Sequence, residues 1–191
     1  MPLKILRQAA HRAMAWKNGG GITYEVAVHP DNGASLDSFE WRLSMARVES
    51  DGPFSIFPGI DRSLAIMEGN GVNLAIENRP SVPVTLTSDP ASFPGDVPVT
   101  AFLLNGTVLD LNIMTRRSAW SHHIELCGSD IDINDRDNSD TSILIVRNGT
   151  LTVTDQVLTY RDVAMLDRDT PALSFTSSTD IRFFRIRLWQ L

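Results

Sequence analysis

Three pairs of polar residues share the same spacing. Thr23 and Glu25, Arg42 and Ser44, and Asp110 and Asn112 each stand two apart in stretches of alternating character. A period of two puts both members of a pair on one face of a strand. Facing outward, such pairs are ordinary solvated positions. Facing into a barrel, they bring an arginine, two carboxylates and several neutral donors into one hollow. A buried arginine must be paired, because an unpaired charge there is very costly. Glu25, Asp110 or an anionic ligand supplies that pairing, and the planar guanidinium matches both oxygens of a carboxylate.

Two neighbouring segments extend this set. Asp51–Arg62 packs two aromatics, two prolines and two glycines around Ser55. It reads as a rigid loop, with Ser55, Phe57 and the Asp61/Arg62 pair at a pocket mouth or as a hydrophobic plug with a surface ion pair. In Asn112–Arg117, alternation from Asp110 turns Arg116 inward and Arg117 outward.

Other chemistries find little support. The histidines are His11, His29, His122 and His123, and adjacent strand residues point to opposite faces, so the last two do not chelate one ion. Asp130–Asp140 lacks the glycine and glutamate of a calcium loop and reads as an exposed loop. Cys127 is the single cysteine, with no base placed beside it, and no Gly-x-Ser-x-Gly elbow occurs. Asn18-Gly19-Gly20-Gly21 lacks the Lys-Ser/Thr of a phosphate loop. Three consecutive glycines mark instead a special turn or a close backbone approach. No metal and no cofactor are expected.

The elements that must position these residues are strands. Trp41, Leu43 and Met45 oppose Arg42 and Ser44; Tyr24, Val26 and Val28 oppose Thr23, Glu25 and Ala27; Leu109, Leu111 and Ile113 oppose Asp110 and Asn112; Phe184, Ile186 and Leu188 oppose Arg185 and Arg187. Gly, Pro, Asn and Asp punctuate these runs, the all-β signature. Leu103–Val108 and Ile145–Leu151 read as hairpins around Asn-Gly. Ser63–Val72 echoes Ser142–Leu151, which fits either two similar β-units or any two hairpins. Ser81–Pro98 reads as a strand edge and loop.

With 17 Lys+Arg against 23 Asp+Glu the chain of 191 residues is acidic. That argues against nucleic acid, whose binding rests on neutralising phosphates. No apolar run approaches the length of a membrane span, and Met1–Ala15 lacks the continuous apolar region of a secretory signal. With a single cysteine, the expectation is a cytoplasmic protein with no membrane partner.

Five blocks carry a family resemblance: Trp16–Glu25, Phe39–Ala46, Asp51–Arg62, Phe93–Asp96 and Asp110–Arg117. In this order they resemble the HutD/Ves family. The resemblance implies a cupin-type double β-barrel, a bicupin in one chain. We expect units at 1–100 and 101–191 that exchange strands. It also implies a regulator or accessory factor of histidine utilisation, with a formyl- or formimino-glutamate as the ligand class. Motif positions are Asn18, Thr23, Glu25, Trp41, Arg42, Ser44, Ser55, Phe57, Asp61, Arg62, Asp96, Asp110, Asn112 and Arg116. Tyr24 stands where an arginine often precedes the glutamate, and the His-x-His…Glu…His set of metal cupins is missing.

The expectation is therefore a metal-independent protein, a homodimer, enclosing a small anionic metabolite. Arg42 clamps its carboxylate, Glu25 or Asp110 accepts from an amino or formimino group, and Asn18, Thr23, Ser44 and Asn112 orient it. The alternative is an isomerase or hydrolase using Glu25 or Asp110 as general base.

Overall fold

The computed structural model describes residues 3–16, 19–31 and 38–191. Among these, strands dominate, with one 3-10 turn at Gln8–Ala10 and no α-helix. The strands are β1 (Lys4–Leu6), β2 (Arg12–Ala15), β3 (Gly21–His29), β4 (Trp41–Val48), β5 (Gly52–Pro53), β6 (Ile60–Glu68), β7 (Val72–Ile76), β8 (Val82–Val84) and β9 (Ala91–Pro94). They continue with β10 (Val99–Leu103), β11 (Val108–Arg116), β12 (Trp120–Cys127), β13 (Thr141–Asn148), β14 (Leu151–Val153), β15 (Gln156–Leu158), β16 (Val163–Asp167), β17 (Phe175–Ser177) and β18 (Arg182–Gln190). The protein is all-β.

Two compact units are present. One comprises Arg12–Ser121 with Leu191, the other Met1–His11 with His122–Gln190. The expected division at residues 100/101 differs from this one. β10 pairs with β7, and β11 lies between β4 and β6, so both belong with the strands before them. β1 pairs with β16, so this N-terminal strand belongs with the unit of His122–Gln190.

The first unit holds a six-stranded sheet, β2-β3-β4-β11-β6-β9, and a four-stranded sheet, β5-β10-β7-β8. Both are open, with two edge strands each. Val48, Leu64, Ile66, Leu74, Val84, Phe93 and Val99 form part of one apolar cluster drawn from both sheets. The second unit has a five-stranded sheet, β1-β16-β13-β18-β12, and a three-stranded one, β15-β14-β17, with Ile133, Leu144, Val153, Leu166 and Phe183 in its core.

In the central strands, alternation separates two buried faces. In β4 Leu43 and Met45 are 0% exposed, while Arg42 and Ser44 on the opposite face are 5% and 3% exposed. These polar residues are therefore shielded, and each needs an internal partner.

The Asn-Gly segments expected as hairpins are corners. β10 belongs to the four-stranded sheet and β11 to the six-stranded one, so Leu103–Val108 carries the chain between sheets. β6 to β7, through Gly69-Asn70-Gly71, and β13 to β14, through Asn148-Gly149, do the same. Turn residues fix a reversal of direction, but long-range pairing decides which strand comes next. The Asp130–Asp140 stretch also differs from a simple exposed loop. Ile133 is fully buried, and the Asn134 side-chain amide exchanges two hydrogen bonds with the Leu173 backbone.

No helix among the described residues is long and apolar enough to cross a membrane.

Candidate functional site

Strand register assembles the site in rows across the six-stranded sheet. Met14, Thr23, Ala46, Asp110 and Ile66 are successive cross-strand neighbours. Arg12, Glu25, Ser44, Asn112 and Leu64 form the next row. A bulge between Glu25 and Ala27 then shifts β3 by one residue, so that Val28 and not Ala27 faces Arg42. The third row is Val28, Arg42, Met114, Arg62 and Phe93. Three rows thus bring Asp110, Asn112, Arg42 and Arg62 to one face.

A cavity of about 630 Å³ lies over this face. Of the expected site residues, Thr23, Arg42, Ser44, Asp110 and Asn112 line it from the sheet. Arg62 joins them from β6, and Ser55 and Phe57 from the loop before it. Glu25 is not among the lining residues but accepts a 2.8 Å hydrogen bond from Arg42 Nε. Asp61 and Arg116 lie elsewhere. Asp61 pairs with Arg117 at 2.8 Å on the surface, and Arg117 also reaches Asp96 at 3.1 Å. Arg116 Nε donates to the Phe39 carbonyl. Asp61 and Arg62 are adjacent on a strand and point to opposite faces, so they form no mouth pair. Asn18 lies outside the described residues. Trp41 belongs to the core and stacks on His29 at a centroid distance of 5.6 Å.

Sequence reading missed several apolar walls: Met14, Phe54 and Met114, together with the Trp16 indole, whose Nε1 donates to Thr23 Oγ1 at 2.8 Å. Met14 was findable only from the register, as the cross-strand neighbour of Thr23. The triple glycine that leads into β3 does mark a close approach, at Gly21, the first residue of the strand. A Cβ on Gly21 would collide with the Arg47 carbonyl.

The two buried arginines that line the cavity are not equivalent. Arg42 has a carboxylate partner in Glu25 and a long 3.5 Å contact to Ser44 Oγ. Arg62 has no ion pair among the described residues. It donates from Nη2 to Asn112 Oδ1 at 3.0 Å and from Nη1 to the Ser55 carbonyl at 3.3 Å, while its buried Nε has no partner. Phe54, Phe93 and Phe57 surround its guanidinium at 5.1, 5.3 and 5.7 Å. Aromatic faces attract a cation but do not neutralise it. Burial, helped by the positive charge of Arg42, pulls the Arg62 pKa down to about 10 despite Asp110.

Asp110 completes the arrangement. Its Oδ1 accepts from Asn112 Nδ2 at 3.1 Å and from the Ala46 amide at 3.2 Å. Burial raises its pKa to about 6, against the lowering effects of the Asn112 hydrogen bond and the Arg62 charge. The side chain of Asn112 therefore bridges a buried cation and a buried carboxyl group.

This donor set does not suit a metal ion. No histidine or cysteine lines the cavity, and its carboxyl group shares the wall with two arginines. Among the described residues, no group of three or more His, Cys, Asp and Glu is placed to hold a metal. Cys127 is buried in the other unit, and burial pushes its thiol pKa up to about 11, so it is not an activated nucleophile.

A HutD family profile matches residues 8–183, which include every residue lining the cavity. The chain belongs to the HutD family. An uncharacterized 21.2 kDa protein from the hutC 3′ region of Pseudomonas putida is 40% identical over 112 residues, 59% of this chain. That match spans 57% of the P. putida protein, a little over half its length. Protein Ves from Citrobacter koseri is 35% identical over 150 residues, 75% of this chain and 72% of Ves. Among solved structures, HutD from Pseudomonas fluorescens SBW25 superposes with a TM-score of 0.82 at 24% identity, covering 99% of both chains. The chain shares the fold of that protein along its whole length.

Proposed function

We propose that this HutD-family chain is a metal-independent binding protein for a small carboxylate of the formyl- or formimino-glutamate class. In this reading it is a cytoplasmic homodimer that serves histidine utilisation as a regulator or accessory factor. Its two units are the two cupin-type barrels of a bicupin. Nucleic acid and membrane are not its partners. The hutC-adjacent position of the P. putida relative supports the link to histidine utilisation.

One observation carries the ligand class. Arg62 is a cation 5% exposed, in the wall of a cavity of about 630 Å³, without a carboxylate partner among the described residues. A bound carboxylate supplies that partner, with Phe54 and Phe57 as apolar walls. The carboxylate clamp expected at Arg42 passes to Arg62, because Glu25 already holds the Nε of Arg42. Arg42, Ser44 and Thr23 are then left to orient the far end of the ligand.

A thermal-shift titration with N-formylglutamate tests this reading. At about 100 times its Kd a ligand adds ~2.7 kcal/mol, on the order of 5–10 °C for a chain of this size. Arg62→Gln removes the shift, and a variant that retains it in full contradicts the assignment.

Asp110 gives a second reading some footing. A carboxyl group with a pKa of about 6 in a cavity wall is suited to act as general base near neutral pH. Glu25 accepts from Arg42 Nε and does not line the cavity, so it is not placed to act on a ligand there. Turnover of a bound acylamino acid that disappears in Asp110→Asn, with binding retained, would support an isomerase or hydrolase. Binding without turnover supports the first reading.

A further inference from the structure

We propose that a carboxylate entering this cavity is bound together with one proton, and that Asp110 is the group that takes the proton up. This inference rests on the binding reading above and goes beyond it by coupling occupancy of the site to pH.

The geometry is a three-residue relay. Arg62 Nη2 donates to Asn112 Oδ1 at 3.0 Å, and Asn112 Nδ2 donates to Asp110 Oδ1 at 3.1 Å. In the free protein, Asp110 is the carboxyl group linked to Arg62, one amide removed. A ligand carboxylate on Arg62 takes over as its direct counter-charge. Two carboxylates then share one buried cation. Like charges in a poorly solvated site do not both stay ionised, and the more desolvated one takes the proton. Asp110 is 2% exposed, and the ligand arrives with its own hydrogen bonds from the guanidinium.

The other charged groups do not relieve Asp110. From β4, Arg42 is committed to Glu25 of β3 at 2.8 Å. From β2, Arg12 is largely exposed and lies 4.0 Å from that same glutamate. β6 contributes Arg62 itself. Pro53 of β5 and the loop residues Phe54, Ser55 and Phe57, which also line the cavity, carry no charge. Burial already holds the Asp110 pKa near 6, so protonation at neutral pH demands only a modest further rise. The balance is simple: protein, one carboxylate and one proton enter, and no bond other than O–H is made.

Isothermal titration with N-formylglutamate at pH 7, in two buffers of different ionisation enthalpy, reads the proton directly. The ligand's own carboxyl groups titrate well below this range. We expect uptake close to one proton in the wild type and none in Asp110→Asn. The wild-type Kd should weaken by up to about tenfold per pH unit between pH 6 and 8, the limit for one coupled proton. Tight binding with a flat pH profile and no buffer-dependent heat would overturn the inference and leave the binding reading standing. No binding at any pH from 5.5 to 8 would overturn both.

Discussion

Asp110 shows how much a single residue's surroundings decide. The i, i+2 spacing with Asn112 was legible, since strand alternation alone puts both on one face. That both would be buried was not, because it depends on what covers the face. Nor was the exchange of roles between Arg42 and Arg62. Which arginine is left without a carboxylate partner among the described residues depends on Glu25, 17 positions away from Arg42, and on the register that joins them. The buried carboxyl also has a stability signature. Its folded pKa is raised from 3.8 to about 6, so its contribution is present below pH 4 and lost as pH rises through 6. Asp110→Asn keeps the Oδ1 acceptor and removes the ionisation. Urea unfolding should show the variant more stable by on the order of 1–3 kcal/mol at pH 8, with the gain fading towards pH 4. A constant difference across this range would contradict the burial of Asp110.

At the scale of elements, the strands were readable and their partners were not. Alternation located β3, β4, β11 and β18, but the bulge after Glu25 and the sheet-changing corners left no local mark. An Asn-Gly pair has the same turn chemistry whether the chain returns beside itself or moves to another sheet. The corners differ in how close the backbones come. At Gly71, with φ of +107°, an added Cβ would collide with the Val84 carbonyl and sit 3.0 Å from Thr85 Cα. Gly71→Ala therefore suffers both an unfavourable backbone and a clash with main chain, which cannot move aside as a side chain can. We expect a loss of at least ~2 kcal/mol in chemical denaturation. By contrast Gly106, also at positive φ, has nothing within 4 Å of the added Cβ and should lose only about 1 kcal/mol.

Across the whole molecule, two buried arginines, Arg185 in one unit and Arg62 in the other, stand in opposite situations. In the unit of Met1–His11 and His122–Gln190, Arg185 is 5% exposed and fully engaged. It meets Glu125 at 2.8 Å and donates from Nη1 to the carbonyls of Asp132 and Asp135. The chain's own Asp130–Asp140 loop supplies these acceptors, a role hidden in a stretch that composition alone marks as solvated. Arg62, in the other unit, lacks a carboxylate of its own among the described residues. The faint echo between Ser63–Val72 and Ser142–Leu151 has a matching feature, since each segment is a sheet-changing corner. A crystal structure with bound N-formylglutamate tests the account most directly. It should show one carboxylate of the ligand within hydrogen-bond distance of the Arg62 guanidinium and none beside Arg185. A ligand held elsewhere, with Arg62 unchanged, would contradict it.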